Sequence, residues 1–598
     1  MNNTIMKKSY KCDFCVVGGG LAGSFAALEA ARHGVKVVLI QDRPMLGGNA
    51  SSEIRMWVRG ARGLYNRETG LVSELEERNI YGNPTLVHSL FDATLYGMVA
   101  ENKNITLLLN TSCVDATVEN NKIVSVTGWQ MTTYTWITVE AKLFADCSGD
   151  SILADLTGAE YRHGREGRAE FGESLAQKKE DSRTMGMSIL LAARETDAPV
   201  KFIPPSFANC YPDDSCFDPE LEKNAHALPR HHVVGTNKTN LWWIELGGEM
   251  HSIYDAERVR DELLASAYGV WDHIKNHGDH GMENWDLEWV GFLPGKRESR
   301  RYVGDYILTE SDLLSGGNFE DEIAYGGWPI DDHNPYGMRK NSESNISSLS
   351  IELEGPYGIP LRSLYSKNIE NLCFAGRNIS VSHVALSSTR VMGTCSLLGQ
   401  ALGSAAAVAI AKGISMRDTA KEHCSEVQRI LLDDGVFLLH HLRKTSELMQ
   451  SARLNISDGE REILFNGLER PRKEGDENGI WQNIGDELCI SFDEKKQVGT
   501  LRLRFDPDFS RMSISDNSKM RIYAMKLHTG KNFRPVRVAS SIVKSFTVYA
   551  DGKELWHTDS NYLSLVKIPL NTEAKEIKIK WNSTNGAERV HLFSADFI

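Results

Sequence analysis

Apolar and polar residues follow different periods in different parts of the chain, and these periods predict its elements. Two short apolar runs near the start, residues 14–17 and 35–40, flank an alanine-rich segment that has the length of a helix. This order predicts a strand–helix–strand unit. Further along, apolar residues recur every three or four positions between Tyr254 and Lys275, which predicts one long helix.

The last quarter of the chain has a different pattern. After about Leu442, short segments such as residues 501–505 and 577–581 alternate apolar with basic side chains. An Asp-Gly turn at residues 551–552 separates two apolar runs, which is typical of a β-hairpin. We therefore predict an all-β sandwich over residues 443–598.

The turn after the first apolar run has the glycine spacing of a nucleotide-binding unit. Gly18 permits a tight turn, Gly20 lets the backbone approach a pyrophosphate, and Gly23 allows the next helix to pack on the sheet. The start of that helix then faces the phosphates. At the end of the second strand, where an acidic residue would bind a ribose hydroxyl, stand Gln41 and Asp42, and either can do so.

A second turn of small residues follows at once, in the stretch RPMLGGNASSEIR (residues 43–55). Three later motifs appear in order: LFADCSGDSILADLTGA (143–159), PGKRESRRYVGDYILTE (294–310), and an apolar strand with a Gly/Ala-rich helix (371–408). The four motifs together resemble the family of FAD-dependent oxidoreductases that groups with the fumarate-reductase and glutathione-reductase superfamily. The later stretch GDELCISFDEKKQVGTLRLRFD resembles galactose-binding-like sandwiches.

This resemblance implies a tightly held, noncovalent FAD whose ring carries the redox chemistry. It implies an α/β fold with a discontinuous Rossmann-like FAD-binding domain, residues 10–165 and 365–442, and an inserted α+β substrate domain, residues 166–364. The cofactor-binding residues it implies, beyond those of the first turn, are Gln41, Asp42, Arg43, Gly47, Gly48, Asn49, Ala50, Ser51, Val114, Ser148, Gly149, Asp150, Gly376, Arg377, Gly393 and Thr394.

The predicted substrate domain has its own pattern. Apolar segments at residues 184–192 and 240–246 predict strands, and segments rich in Pro, Asp and Gly at residues 204–220 and 326–337 predict surface loops. No second strand–glycine–helix unit occurs between residues 160 and 430, so no NAD(P)H domain is expected. Electrons must then pass through the substrate, oxygen, a carrier protein or a quinone.

Three residues are candidates for a catalytic role. His383 and Arg390 precede the closing helix, where the resemblance implies substrate-facing residues. Histidine is the natural base near neutral pH, and arginine orients an oxygen-rich or anionic substrate. Arg55 follows the second glycine turn, where it either points towards the flavin ring or forms a local ion pair with Glu53.

For the other polar residues singled out by the sequence, a structural role is the default interpretation. The charged run at residues 297–301 is typical of a solvated or structural ion-pair face. Cys395, in the first turn of a helix starting near Thr394, is expected to be a buried structural cysteine, and the start of this helix is expected to stabilise the reduced ring. His333, in the second predicted loop, is a weaker catalytic candidate.

Composition narrows the function further. The chain has 598 residues and a net charge of −13, which argues against a general nucleic-acid binder. It has no apolar run approaching the roughly 20 residues of a membrane span, no metal-ligand spacing and no secretory signal, so a cytoplasmic, metal-free protein is expected. Cys12 and Cys15 lie on the first predicted strand and are expected to be buried rather than redox-active.

Three functions remain open at this point. The leading hypothesis is an FAD-dependent oxidoreductase that transfers a hydride between flavin N5 and a small polar metabolite, a carbohydrate or a hydroxy acid. A second is redox-neutral, flavin-assisted elimination on a sugar. A third is a non-catalytic glycan-binding protein whose flavin fold is degenerate. The sequence leaves the oligomeric state and the electron acceptor open.

Overall fold

The structure, a computed structural model, describes residues 5–63, 65–213, 216, 240–241, 244–277, 280–338, 349–473, 475–509 and 535–598. These residues form two compact units. The first unit contains the described parts of Met1–Gly60 and Val87–Ser425, and the second contains those of Ala61–Leu86, Glu426–Ala524 and Pro535–Ile598.

The first unit mixes strands and helices along its whole length. Its strands are β1 (Met6–Lys11), β2 (Phe14–Val17), β3 (Val37–Ile40), β4 (Ile105–Leu108), β5 (Thr111–Glu119), β6 (Lys122–Gln130), β7 (Thr135–Glu140), β8 (Leu143–Asp146), β9 (Tyr161–Arg162), β10 (Met187–Ser188), β11 (Leu191–Glu195), β12 (Asn240–Leu241), β13 (Glu245–Leu246), β14 (Trp285–Val290), β15 (Gly295–Lys296), β16 (Arg301–Tyr302), β17 (Glu322–Gly326), β18 (Ile330–Asp332), β19 (Leu349–Ile351), β20 (Tyr357–Pro360) and β21 (Leu372–Phe374). Its helices are α1 (Leu21–Arg32), α3 (His88–Ala100), α4 (Ile152–Thr157), α5 (Arg168–Phe171), α6 (Ala256–Asn276), α7 (Glu310–Leu314), α8 (His383–Thr389), α9 (Met392–Lys412) and α10 (Met416–Glu422).

The second unit is mainly β. Its helices are α2 (Leu71–Gly82), α11 (Cys424–Asp433), whose first two residues still belong to the first unit, α12 (Glu447–Ser451) and α13 (Asp458–Phe465). Its strands are β22 (Arg453–Leu454), β23 (Ile480–Asn483), β24 (Glu487–Phe505), β25 (Val543–Ala550), β26 (Lys553–Thr558), β27 (Leu565–Thr584) and β28 (Arg589–Phe597).

A five-stranded parallel sheet forms the centre of the first unit, in the order β21-β8-β2-β3-β4. Every residue of β2, β3 and β8 is buried. Parallel strands covered on both faces are continuous apolar runs, which is why residues 14–17 and 35–40 were recognisable in the sequence. The strand–helix–strand unit β2-α1-β3 and the α/β fold class are therefore confirmed. Cys12 and Cys15 are buried here, and burial raises the pKa of both thiols.

Helices α1 and α9 pack very closely against each other beside this sheet. A Cβ atom on Gly399 of α9 would lie 2.1 Å from the carbonyl oxygen of Ala22 of α1. The buried carboxylate of Glu29 accepts hydrogen bonds from Gln400 Nε2 at 3.1 Å and Ser404 Oγ at 2.8 Å across the same contact. Among the described residues, α9 alone is long and apolar enough to cross a membrane, but 89% of its apolar window is buried in the protein, as in a core helix.

The segment between the two halves of the FAD-binding fold belongs to the first unit as well. The predicted long helix is α6, whose apolar face packs on β10, β11 and β13 in one core. The strand predicted at residues 184–192 is divided into β10 and β11. The prediction of a loop at residues 326–337 was wrong in part, because Ile330–Asp332 pairs as β18 with β19. The described part of the other predicted loop, residues 204–213, contains no helix or strand.

The predicted all-β region is a seven-stranded antiparallel sheet, in the order β23-β28-β24-β27-β25-β26 with β22 on β24. Its apolar positions, including Phe505, Phe546 and Trp581, form one core. The predicted hairpin is β25-β26, with both turn residues, Asp551 and Gly552, at positive φ. The resemblance of this sheet to galactose-binding-like domains stays a prediction.

Two boundaries of the compact units differ from the sequence prediction. Residues 10–165 were expected to form one continuous part of the FAD-binding domain, but Ala61–Leu86 belongs to the second unit. The carboxylate of Glu77, in α2, accepts hydrogen bonds from the backbone N–H of Ser564 at 2.9 Å and from its hydroxyl at 2.5 Å. Residues 426–442 also belong to the second unit, which therefore begins before residue 443.

The contact between α1 and α9 gives a test of the fold. Gly399→Ala places a methyl group against backbone, and overpacking of this kind costs about 1–3 kcal/mol, so we expect a lower Tm. Gly97→Ala in α3 is the matched control, because its Cβ would meet only Oε1 of Glu101 at 3.7 Å. Alanine is the better helix former, so Gly97→Ala should leave the Tm unchanged or raise it. Equal Tm values for the two variants in thermal unfolding would contradict the packing described.

Candidate active site

A cavity of about 560 Å³ lies where the strands of the parallel sheet end at their carboxyl termini. Crevices at these ends are where open α/β sheets bind ligands. The residues of β2, β3 and the turns that follow form one side of the cavity. The remaining lining residues come from β5, the turn after β8, Ser188 and Leu190, Ile253, residues 293–300, residues 328–333, residues 376–377 and residues 390–395.

The glycines of the first turn have two different structural roles. Gly18 has φ = 102°, and a Cβ atom there would lie 2.4 Å from the backbone of Cys147. A Cβ atom on Gly23 would lie 1.8 Å from the carbonyl oxygen of Gly18, so both glycines are required by the packing of α1. A Cβ atom on Gly20 would meet only the Cα atom of Gly48, at 4.0 Å. Gly20 thus leaves open space where it lines the cavity, whereas Gly48, at φ = 58°, permits close approach, because a Cβ atom there would lie 3.2 Å from the Cα atom of Gly20.

The open space at Gly20, the glycine cleft, fits a pyrophosphate. Gly20 is the N-cap of α1 and supplies no side chain to the first N–H groups of the helix. Those groups are left to an anionic ligand, and the helix dipole favours one. Arg43, whose guanidinium lies 3.5 Å from Glu53, lines the same side of the cavity.

The structure separates the roles of Gln41 and Asp42. Gln41 Oε1 accepts a hydrogen bond from the backbone N–H of Gly19 at 2.7 Å, and its Nε2 donates to the carbonyl of Met45 at 3.1 Å. The Gln41 amide therefore joins the two glycine turns. Asp42 also lines the cavity and its side chain is 63% exposed, so the geometry favours Asp42 for the ribose hydroxyl.

Asp150 connects three of the sequence motifs at one point. Its carboxylate accepts hydrogen bonds from Arg377 Nη2 at 2.5 Å, Lys296 Nζ at 2.6 Å and Ser299 Oγ at 2.9 Å. Burial raises the pKa of Asp150, but Arg377 and Lys296 outweigh burial and hold the pKa below its usual range. The carboxylate is therefore charged, and the junction (Asp150, Lys296, Ser299 and Arg377) is an ionic one.

Most of the predicted cofactor-binding residues line this cavity. They are Gly18, Gly20, Gln41, Asp42, Arg43, Gly47, Gly48, Asn49, Ser148, Gly149, Asp150, Gly376 and Arg377. Ala50 and Ser51 instead shape the second turn, in which Ser51 Oγ donates to the carbonyl of Gly48 at 2.7 Å. Val114 lies at a bulge of β5 with a 44% exposed side chain, outside the cavity lining.

The closing helix begins two residues before the position expected. Helix α9 starts at Met392, and its first turn contributes Val391, Met392 and Cys395 to the cavity. Gly393 donates its N–H to the carbonyl of Arg59 at 2.6 Å rather than lining the cavity. The hydroxyl of Thr394 is buried and has no hydrogen-bond partner in the described part of the chain. Cys395 is buried, as expected.

Two of the three predicted catalytic residues lie outside the cavity lining. Arg55 has φ = 63°, and its guanidinium stacks over the ring of Trp289, 4.1 Å from the ring centre. Glu53 interacts with Arg43 rather than with Arg55. Only Arg390 lines the cavity, where its Nη2 donates to the backbone carbonyl of Asp331 at 2.9 Å.

His383 lies between two carboxylates and outside the cavity lining, an arrangement that does not favour it as the base predicted from the sequence. Its Nδ1 lies 2.9 Å from Glu298 Oε1 and its Nε2 lies 3.2 Å from Asp332 Oδ1. Burial lowers the pKa of His383, but the two carboxylates outweigh burial and raise the pKa to about 10. A protonated ring that donates from both nitrogens has no lone pair to accept a proton. Both partners are remote in sequence, so no local motif indicated them.

His333 takes the place in the cavity that was expected for His383. Its Nδ1 lies 2.7 Å from Glu245 Oε2, and its Nε2 lies 3.3 Å from Asp331 Oδ2. Burial lowers the pKa of His333, but Glu245 and Asp331 raise it above its ordinary value. Asp331 also accepts hydrogen bonds from Arg390 Nη2 and Trp328 Nε1, each at 3.3 Å. His333, Asp331, Trp328 and Arg390 all line the cavity.

The charged run at residues 297–301 is buried and ion-paired, so of the two predicted alternatives the structural ion-pair face describes it and the solvated face does not. Arg297 interacts with Glu245, whereas Glu298 and Arg301 interact with His383 and Glu166. The four ion-pair partners of this run, Glu245, His383, Asp155 and Glu166, all come from other segments of the chain. Glu245, Lys296, Trp328 and Asp331 were not predicted from the sequence. The available signal was the density of charged residues in GKRESRR and PIDDHNP, two segments that also contain Gly and Pro.

A comparison with known families agrees with this geometry. The model of the family described as FAD dependent oxidoreductase matches residues 13–431. The chain belongs to this family. FAD is its cofactor, and the open glycine cleft at the start of α1 accommodates the pyrophosphate. The hypothesis of a non-catalytic protein with a degenerate flavin fold is therefore rejected.

Individual relatives match only short parts of the chain. A glycerol-3-phosphate dehydrogenase from Mycobacterium leprae is 44% identical over 69 residues, which are 11% of this chain and 12% of that protein. The soluble pyridine nucleotide transhydrogenase from Hahella chejuensis is 45% identical over 42 residues, or 7% of this chain and 9% of that protein. The chain thus matches about an eighth or less of the length of these curated relatives.

Solved structures of flavoproteins also match, at low similarity. A geranylgeranyl bacteriochlorophyll reductase-like protein from Thermoplasma acidophilum covers 71% of this chain and 86% of its own, with a TM-score of 0.30 and 14% identity. The glycerol-3-phosphate dehydrogenase from Bacillus halodurans complexed with FAD covers 33% of this chain and 43% of its own, with a TM-score of 0.20 and 15% identity. Similarity of this degree says nothing about the substrate.

The different roles of the glycines can be tested by cofactor retention. Gly20 has φ = −62°, so Gly20→Ala should fold without strain but place a methyl group in the pyrophosphate cleft. We expect a normal apoprotein Tm and at least about tenfold weaker FAD binding, measured by flavin fluorescence during reconstitution. Gly355→Ala, where a Cβ atom meets nothing within 4 Å, should bind FAD like the wild type. Unchanged FAD affinity in Gly20→Ala would place the pyrophosphate elsewhere.

The environment of His383 predicts a pH dependence of stability. Its pKa is raised above that of the unfolded chain, so its stabilising contribution is complete below about pH 6.5 and disappears as the pH rises through about 10. His383→Gln leaves Glu298 and Asp332 facing each other without a cation between them. At pH values where the wild-type ring is charged, the variant should have a free energy of unfolding lower by about 3–5 kcal/mol. The difference in Tm between the wild type and His383→Gln should therefore shrink between about pH 7 and about pH 10.5. A difference independent of pH would mean that His383 is neutral in the folded protein.

Proposed function

We propose that this FAD-dependent oxidoreductase oxidises a hydroxyl-bearing carbon of a small polar metabolite, a carbohydrate or a hydroxy acid. The observation that supports it is the polar group at one end of the cavity, Asp331, His333 and Arg390, beside the start of α9. Bound FAD supplies N5 as the acceptor of a hydride from the substrate carbon. The chain itself must bind the substrate, orient its hydroxyl and take up the hydroxyl proton.

Asp331 is the residue to which we assign the proton. Three aspartates line the cavity, and two of them, Asp42 and Asp150, belong to the nucleotide-binding segments. Asp331 lies on β18, and its carboxylate accepts hydrogen bonds from Arg390, His333 and Trp328. These three donors fix the orientation of the carboxylate, and a positioned general base contributes typically about 10²–10⁴ in rate.

His333 supports Asp331 rather than replacing it. Glu245 and Asp331 keep the ring protonated, so His333 carries a positive charge that stabilises a substrate alkoxide developing beside it. Arg390 provides a second charge at the same carboxylate. The arrangement thus offers one proton acceptor next to two cationic groups.

Apolar residues complete the same end of the cavity. Ile54, Trp57, Leu190, Pro294 and Trp328 line it together with the polar residues. Pockets that combine apolar or aromatic walls with a few polar groups are typical of small-molecule sites. The walls limit the access of water to the hydroxyl being oxidised and, for a carbohydrate, face its C–H surfaces.

The redox-neutral elimination remains a second candidate because an acid and a base are adjacent. Elimination needs a group that removes a proton beside a transient carbonyl and another that protonates the leaving group. Asp331 and the protonated His333, 3.3 Å apart, have these complementary states. The two candidates differ in net electron balance: oxidation consumes one electron acceptor for each substrate molecule, whereas elimination consumes none.

The localisation proposed is cytoplasmic. None of the ten cysteines forms a disulfide, which is the usual state in a reducing compartment.

The assignment of Asp331 is tested by Asp331→Asn. This substitution keeps the shape of the side chain but removes the proton acceptor, so FAD should stay bound while flavin reduction by substrate slows by about 10²–10⁴. The measurement is the anaerobic loss of flavin absorbance after rapid mixing with hydroxylated acids and sugars. Asp286→Asn, at the surface pair with Arg194, is the matched control and should react at the wild-type rate. A rate within about threefold of the wild type in Asp331→Asn would remove Asp331 from the mechanism.

A further inference from the structure

We propose that the substrate carries an oxyanion, a carboxylate or a phosphate group, which binds between Arg297 and Arg390. This inference rests on the proposed function, because it assigns a chemical class to the metabolite oxidised at the same end of the cavity.

The charge of the cavity is opposite to that of the chain. The protein has a net charge of −13, yet the cavity is lined by seven arginine and lysine residues and by only three acidic ones. The cations are Arg43, Arg59, Lys296, Arg297, Arg300, Arg377 and Arg390, and the acids are Asp42, Asp150 and Asp331. The two phosphates of FAD offset part of this excess. The remainder indicates a second anionic ligand.

The excess of positive charge lies mainly at the substrate end of the cavity once the carboxylate or aromatic partner of each cation is taken into account. Lys296 and Arg377 share Asp150, and Arg300 forms an ion pair with Asp155. The side chain of Arg59 lies over the rings of Trp57 and Trp328. Arg297 and Arg390 remain as the guanidinium groups beside Asp331 and His333.

These two arginines are the ends of one chain of alternating charges. Arg297 lies 3.2 Å from Glu245, Glu245 lies 2.7 Å from His333, and His333 lies 3.3 Å from Asp331. Asp331 lies 3.3 Å from Arg390. With His333 protonated, three cationic groups share the two carboxylates of this chain. The neighbouring carboxylate of Asp332, whose pKa burial raises but His383, Arg165 and His333 lower overall, is shared with His383.

The guanidinium groups of Arg297 and Arg390 also have N–H donors that the described residues do not fully engage. Only Nη2 of Arg390 is engaged by the described residues, and its buried Nε has no hydrogen-bond partner among them. Arg297 uses long contacts, 3.3 Å from Nη1 to the carbonyl of Gly186 and 3.2 Å to Glu245. Burial lowers the pKa of Arg297, Glu245 opposes burial, and the positive charge of Arg390 lowers the pKa further. The two guanidinium groups therefore repel each other, and an oxyanion between them relieves that repulsion.

The test compares ligands that share a six-carbon polyol chain and differ in whether one end carries an oxyanion. Oxidised, FAD-loaded protein is titrated anaerobically with sorbitol, gluconate and sorbitol 6-phosphate, and separately with acetate and inorganic phosphate. Binding is followed by the absorbance change of the bound flavin and by the increase in Tm. We expect at least one oxyanion to bind about tenfold or more tightly than sorbitol. The comparison of gluconate with sorbitol 6-phosphate distinguishes a carboxylate from a phosphate.

Variants locate the oxyanion. Arg390→Gln and Arg297→Gln should each weaken oxyanion binding about tenfold or more, and by a larger factor than they weaken sorbitol binding. Arg194→Gln, which removes the same charge at the surface, is the matched control and should bind oxyanions like the wild type. Oxyanion binding that is equal in the wild type and both variants would overturn the proposal, as would the absence of any oxyanion effect in the wild type.

Failure of this inference is distinguishable from failure of the proposed function. If oxyanions bind through Arg297 and Arg390 but no hydroxylated compound reduces the flavin, the oxyanion site stands and the oxidation does not. If a neutral polyol reduces the flavin and no oxyanion binds, the oxidation stands and the oxyanion site does not. The binding titrations need no turnover, so they decide the oxyanion site in either case.

Discussion

The ionic junction at Asp150 is the interaction on which the active site depends. It joins the turn after β8 to Lys296 and to Arg377, which lie 146 and 227 positions away along the chain. The carboxylate is charged and its side chain is only 29% exposed, so removing either cation would leave it with one positive partner instead of two. The junction therefore fixes the closing segment and the inserted segment against the nucleotide-binding turn, and this arrangement gives the cavity two differently built ends.

The two ends of the cavity use different physical principles. At the nucleotide end, the absence of side chains is decisive, since Gly20 leaves open space and the first N–H groups of α1 have no side-chain cap. At the substrate end, charged side chains are crowded together and hold one another in fixed protonation states. His333 and His383 are each placed between two carboxylates, and only His333 lines the cavity. His383 supports β18 through Asp332, on the strand that presents Asp331 to the cavity.

Features that depend on residues close together in the sequence were predictable, and features that depend on residues far apart in the sequence were not. The glycine turn, the helix α6 and the hairpin β25-β26 each depend on residues within about 25 positions of one another, so their spacing was visible. The partners of His383 lie 85 and 51 positions away, and no spacing rule indicates that two carboxylates will protonate a particular histidine. The transfer of Ala61–Leu86 to the second unit was concealed for the same reason, because its hydrogen bonds to Ser564 span 487 positions. The charge at residues 297–301 was visible, but its burial was not.

The central claim is that chemistry takes place where Asp331 and His333 meet the start of α9. A crystal structure of the FAD-bound protein tests this most directly. The account predicts that the N5 edge of the flavin ring faces Asp331 and His333, with space for one hydroxyl-bearing carbon between them. A ring whose N5 edge faces away from Asp331, or one that fills the space in front of it, would contradict the account.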